Sequence, residues 1–251
     1  MSSGFSEIFA VRSFIQHSQW RWWPGLIAAI LVYGLSTLIA TVVVVAVMMG
    51  DASEAEIVAG ELPAPSGPII LAAAIISQIV IVGALLALAR WGVKDWRQQL
   101  YLAAVDPGGR WIAALAILAA AFLAGDLMWQ SLYGDVLKAD GLWIENLLID
   151  PATRWPTLVA VTAGAAFSEE MLFRGFLLPA LAKSWLGFSG AAVVSTLLWT
   201  LVHGYSWQGA VEVMVLGLMF SYLLWRTGSI LPSIALHGSI NAAYAAVVLS
   251  G

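Results

Sequence analysis

The 251-residue chain has no cysteine. That excludes disulfides, thiolate zinc sites, thiol nucleophiles and haem attached through cysteine. Charge is scarce as well: Asp, Glu, Lys and Arg make up 10% of the residues, against about 25% in an ordinary soluble domain. So few charges cannot coat the surface of a soluble domain of this length. Disorder is excluded from the other side, because 61% of the residues are hydrophobic. The 11 Lys and Arg face 15 Asp and Glu, for a net charge of −4. The basic face that neutralises phosphates is missing, which excludes nucleic acid as a partner. With three histidines, any catalysis must rest on carboxylates, hydroxyls, amides or those imidazoles.

Long apolar runs are present instead, and the mean hydropathy is +0.89. A bilayer core about 30 Å thick takes roughly 20 apolar residues in a helix. Seven runs approach that length: Gly25–Met49, Gly67–Ala89, Trp111–Leu132, Pro156–Ala182, Phe188–Val202, Gly209–Trp225 and Ser229–Ser250. A cluster of Leu142, Trp143, Ile144, Leu147 and Leu148 reads as an interfacial segment, half-inserted at most, inside a loop from 133 to 155. The expected fold is all-α, a polytopic transmembrane bundle of about seven to eight membrane helices.

Residues 1–24 are polar and aromatic, with Phe5, Ile8 and Phe9 at helical spacing and Trp20, Trp22 and Trp23 suited to the headgroup layer. They read as an interfacial segment, not a cleaved signal peptide. Positive charge alternates along the chain. Arg12 and Arg21 precede the first run, the next loop is acidic, and Arg90, Lys94, Arg97 and Arg110 follow the second run. The positive-inside rule places the N-terminus in the cytoplasm and the C-terminus outside. One membrane domain is expected: the N-terminal segment, supporting helices over 25–155, and site-bearing helices over 156–251.

An ionised side chain at the bilayer centre costs about 2.5–3.5 kcal/mol on insertion scales, so each one inside a run needs a reason. Asp126, Glu169, Glu170, Arg174, His203, Glu212 and His237 all lie inside or at the end of such runs. Glu170 and Arg174 are four apart, on one helical face, and form an expected ion pair. Glu169 points elsewhere, since successive helical residues turn by about 100°. It has no local partner, and low dielectric raises such a carboxyl towards the pKa of a general base or acid. His203 ends its run, and His237 and Asn241 are again four apart. Counted from the turns at Lys183 and Arg226, Glu169, His203, His237 and Asn241 fall roughly 21, 22, 12 and 18 Å deep. Three runs therefore bring Glu, His, His and Asn into one layer. Asp126 and Glu212 read as residues near span ends, and His17 as a surface histidine.

Glu169-Glu170-x-x-x-Arg174, Trp199-x-x-x-His203 and His237-x-x-x-Asn241 resemble, in order, the three motifs of the CAAX-protease and bacteriocin-processing family of intramembrane proteases. The middle motif departs from the family pattern, with Trp199 where the family has Phe. The resemblance covers about a third of the chain, from Val159 to Ala246, and implies a helical bundle around an intramembrane catalytic cavity. It implies that Glu169 and His203 activate a water, that His237 and Asn241 stabilise an oxyanion, and that Arg174 holds Glu170. Members of the family are also described as metalloproteases. Glu169, His203 and His237 would supply the Glu-His-His donors of a catalytic zinc site. Either no cofactor or a divalent metal such as zinc is therefore expected. The expected activity is endopeptidase hydrolysis of a lipidated or membrane-associated protein or peptide, in a bilayer that the composition suggests is a bacterial plasma membrane. The rival readings are a non-catalytic scaffold or bacteriocin-immunity protein, which would tolerate loss of Glu169, and a small transporter, for which no inverted repeat speaks.

Overall fold

The computed structural model describes residues 18–52, 64–91, 95–103 and 110–250. The expected interfacial helix over Phe5–Phe9, His17, and the charges at Arg12, Glu54, Glu56, Glu61 and Lys94 lie outside the described residues. All described regular structure is helical. Chain order gives α1 (Trp22–Asp51), α2 (Gly67–Arg90), the short α3 (Trp96–Gln99) and α4 (Arg110–Ile149). A composite rod over 154–181 follows. It runs α5 (Arg154–Val159), a π segment (Ala160–Ala165), α6 (Ala166–Glu169), a second π segment (Glu170–Leu177) and α7 (Leu178–Leu181). The chain closes with α8 (Gly187–His203), α9 (Trp207–Thr227) and α10 (Leu231–Ser250).

Among the described residues five helices are long and apolar enough to cross a bilayer: α1, α2, α4 from Leu115, α9 and α10. The apolar α8 is shorter. The remaining expected run, Pro156–Ala182, is the composite rod. All seven runs are helical, and the protein is an integral, multi-pass membrane protein. Its packing explains the sequence. Leu31, Leu38, Ile79, Leu127, Leu201 and Val247 point outward, each more than half exposed, as lipid-facing residues do. The buried set mixes Met171, Leu172, Leu178, Phe220, Leu223 and Leu224 with Glu170, Arg174, Ser195, Thr196 and His237. Apolar outside and partly polar inside reverses the arrangement of a soluble domain.

One expectation is corrected. The stretch from 133 to 149 is not a loop, because it is helical up to Ile149. Tyr133 leaves helical geometry (φ −133°, ψ 18°), just before Gly134, and this kink divides α4 into two helical halves. The acidic residues that made this stretch look like a loop have a partner in the next layer. Asp140 accepts from the Ser206 backbone N–H at 3.0 Å and from the Ser206 hydroxyl at 2.6 Å. Trp129, Tyr133 and Trp207 pack tilted and edge to face next to Ser206, with Trp129 Nε1–H donating to the Gln208 carbonyl. The far half of α4 is thereby clamped to the start of α9.

The turns are cut short by residues suited to them. Gly204 and Gly228 take positive φ (64° and 68°) directly after α8 and α9, a left-handed backbone that strains any residue with a Cβ. The Ser206 hydroxyl then caps α9 by accepting from the Gly209 N–H. His203 consequently sits at the very end of a helix, one residue before a forced reversal.

Candidate active site

The composite rod carries the carboxylates, and its irregular backbone decides where they point. A π turn inserts a residue and leaves backbone carbonyls without their helical donors, a feature often found at functional sites. Here side chains from other helices supply donors. Gln78 Nε2 on α2 donates to the Ala160 carbonyl (3.2 Å), and Asn241 Nδ2 on α10 donates to the Val161 carbonyl (2.7 Å). Gly238 of α10 lies so close to the rod that an added Cβ would sit 2.7 Å from the Thr162 carbonyl oxygen. The bulged segment is thus pinned on two sides, about two turns before Glu169.

Glu170 and Arg174 form the deep layer. Both are fully buried, and Arg174 Nη1 donates to Glu170 Oε1 at 3.1 Å, the ion pair their spacing predicts. His237 Nδ1 reaches the same oxygen at 3.2 Å. The guanidinium carbon lies 4.3 Å from the Trp199 ring centre and 5.3 Å from that of Phe220, and His237 stacks on Phe220. This packing needs Gly217: a Cβ there would fall 2.7 Å from Arg174 Nη2 and 3.0 Å from Trp199 Cε3, and would also meet Thr196. Glu170 Oε2 and Arg174 Nε and Nη2 have no hydrogen-bond partner among the described residues. The layer is a held ion pair, not a saturated network.

Glu169 and His203 form the open layer. Their side chains keep 26% and 21% exposure, against 0% for Glu170 and Arg174. Glu169 Oε2 and His203 Nε2 face each other across 4.0 Å, too far for a hydrogen bond. His203 Nδ1 lies 2.7 Å from the Trp199 carbonyl oxygen. A carbonyl only accepts, so Nδ1 carries the hydrogen, and Nε2 of the neutral ring presents a lone pair to the gap. Two acceptors 4.0 Å apart suit one water donating a hydrogen to each.

Each expected site residue thus has a place. Glu169 meets His203, while Glu170, Arg174 and His237 form a separate buried group. Asn241 spends one amide hydrogen on Val161. Glu169 is not without a partner, since Trp199 Nε1–H donates to its Oε2 at 2.7 Å. Among the described residues no three His, Asp or Glu side chains gather as a metal-binding set. His237 Nδ1 is turned to Glu170 instead, so Glu169, His203 and His237 do not fit a zinc tetrahedron as they stand. Asp126 and Glu212, read as separate span-end residues, face each other between α4 and α9.

Three contributors escaped the sequence reading. Trp199 was legible only as a motif mismatch, although it stands four before His203 on one face. Gln78 is a lone amide in an apolar run. Tyr205 follows the Gly204 reversal, and its ring packs 5.3 Å from that of His203. Burial, then the charges of Glu169, Tyr244, Asp140 and Glu212, push its phenol up to about 12, so it stays neutral beside the site.

Against this geometry, residues 151–243 match the family model described as Type II CAAX prenyl endopeptidase Rce1-like. The match bears out the family that the three motifs resemble and spans all of them. No curated protein and no solved structure matches the chain. The matched family is one of membrane proteases.

Proposed function

We propose that the chain is an intramembrane endopeptidase in which Glu169 is the general base. The observation that carries this reading is the open Glu169–His203 pair above a buried, neutralised Glu170–Arg174 pair. One water donates its hydrogens to Glu169 and to His203 Nε2. Its oxygen attacks the peptide carbonyl carbon as Glu169 takes a proton. The carbonyl π electrons move to oxygen, giving a tetrahedral oxyanion. Asn241 retains a second amide hydrogen beyond the one on Val161. His237 holds Glu170 through Nδ1 and leaves Nε2 as donor when protonated. These two groups stabilise the oxyanion. Glu169 then passes its proton to the leaving nitrogen, the C–N bond breaks, and a carboxylic acid and an amine result.

The substrate is a lipidated or membrane-spanning protein or peptide in a bacterial plasma membrane, and hydrolysis proceeds without a metal. The test uses purified protein in detergent with two probes, a farnesylated CAAX peptide and an unlipidated transmembrane peptide. Cleavage of either should fall about 100-fold or more in Glu169→Gln and His203→Ala, with the fold retained. It should survive exhaustive chelation. Cleavage unchanged in both variants would overturn the catalytic assignment, and loss on chelation restored by zinc would overturn the metal-free route.

A further inference from the structure

We propose that Trp199 is a positioning residue that fixes both members of the Glu169–His203 pair. Its two polar groups act on different partners. The indole N–H donates to Glu169 Oε2 at 2.7 Å, and the main-chain carbonyl accepts from His203 Nδ1 at 2.7 Å. One residue therefore sets the carboxylate's direction and the imidazole's tautomer. The N–H holds Oε2 on the His203 side, facing Nε2 across the gap.

The indole can do this because it cannot turn. It is 2% exposed and is the largest of the fully buried side chains. Arg174 covers its face at 4.3 Å, and Phe220, His203 and His237 pack at 5.9, 5.0 and 5.6 Å between ring centres. The deep ion pair thus reaches the open pair through a rigid ring. Phenylalanine would fill most of this space and supply no donor, so the N–H is the part of Trp199 that packing alone does not call for. An indole N–H on a carboxylate is a charge-assisted bond, stronger than a neutral one.

The catalytic role rests on the hydrolase reading of Glu169, whereas the bond itself does not, and the experiment separates the two. In protein labelled with ¹⁵N at the indoles, the Trp199 Nε1–H resonance is identified by its loss in Trp199→Phe. It should lie downfield and move upfield in Glu169→Leu. A resonance that ignores Glu169→Leu overturns the bond and the proposal with it. On whichever probe peptide the wild type cleaves, Trp199→Phe should lower kcat about 10- to 100-fold with KM within about twofold. Incorporation of benzothienylalanine at 199, which keeps the ring shape and replaces N–H by sulfur, should reproduce that loss. A benzothienylalanine variant with wild-type kcat overturns the positioning role. A resonance that moves in a protein that cleaves neither probe upholds the Trp199–Glu169 bond and overturns the hydrolase reading alone.

Discussion

Arg174→Met tests the deep layer most directly. The guanidinium is fully buried and is the sole full positive charge against Glu170 among the described residues, with His237 as the other partner. Charge centres about 4 Å apart at an effective dielectric of about 20 attract by about 4 kcal/mol. Removing one partner of a buried pair leaves the other uncompensated, which in measured cases costs about 3–5 kcal/mol. The lower end applies here, because His237 stays within reach of Glu170 and Arg174 makes one hydrogen bond to it, not two. The expected loss is therefore about 3 kcal/mol, more than 100-fold in the folding equilibrium. Arg174→Lys keeps the charge and loses the flat contact with Trp199, and should fall between wild type and Met. The double variant Glu170→Gln with Arg174→Met removes both charges. It should cost less than the sum of the single variants by about 2 kcal/mol. Reversible unfolding in mixed micelles with rising SDS, followed by tryptophan fluorescence, reads the wild type, Arg174→Met, Arg174→Lys, Glu170→Gln and the double variant. An Arg174→Met loss under about 1 kcal/mol, or additivity within about 0.5 kcal/mol, would refute the buried-pair reasoning.

Two further outcomes follow from the same geometry. Gly217→Ala should destabilise the fold by about 1–3 kcal/mol in the same unfolding assay, because the new methyl overlaps Arg174 and Thr196; a neutral result would mean the guanidinium is not held where it stands. Tyr205 should stay un-ionised past pH 10, with no contribution to the 295 nm phenolate signal until about pH 12. A pKa raised in the folded state makes the neutral phenol a stabilising group below the unfolded value of about 10, and that stability is lost as pH rises towards 12. The Tyr205→Phe difference titration checks both the value and the sign.

The helical class and the spans were legible because lipid imposes one simple rule. Backbone groups must be satisfied within each segment, so runs of apolar residues declare themselves. The Glu170–Arg174 pair was legible for a similar reason, since its four-residue spacing is a local property of one helix. The stretch after Tyr133 was misread because its charges look like loop charges along the chain, whereas Asp140 is spent on Ser206 across an inter-helix contact. The partner of Glu169 was missed because Trp199 lies 30 residues away, and nothing in either helix reveals that they meet.

Composition and periodicity determined by themselves that this is a membrane-embedded helical chain with carboxylates and imidazoles inside or at the ends of its apolar runs. What each of those groups meets beyond its own helix was decided only by tertiary packing. Arg174 and His237 meet one of the adjacent glutamates, Gln78 and Asn241 pin the bulge before them, and a buried indole meets the carboxylate that stays partly exposed. The physical reason is one of range: apolar spacing acts within a helix, while the electrostatic state of a buried carboxylate depends on what other helices bring within about 3 Å of it.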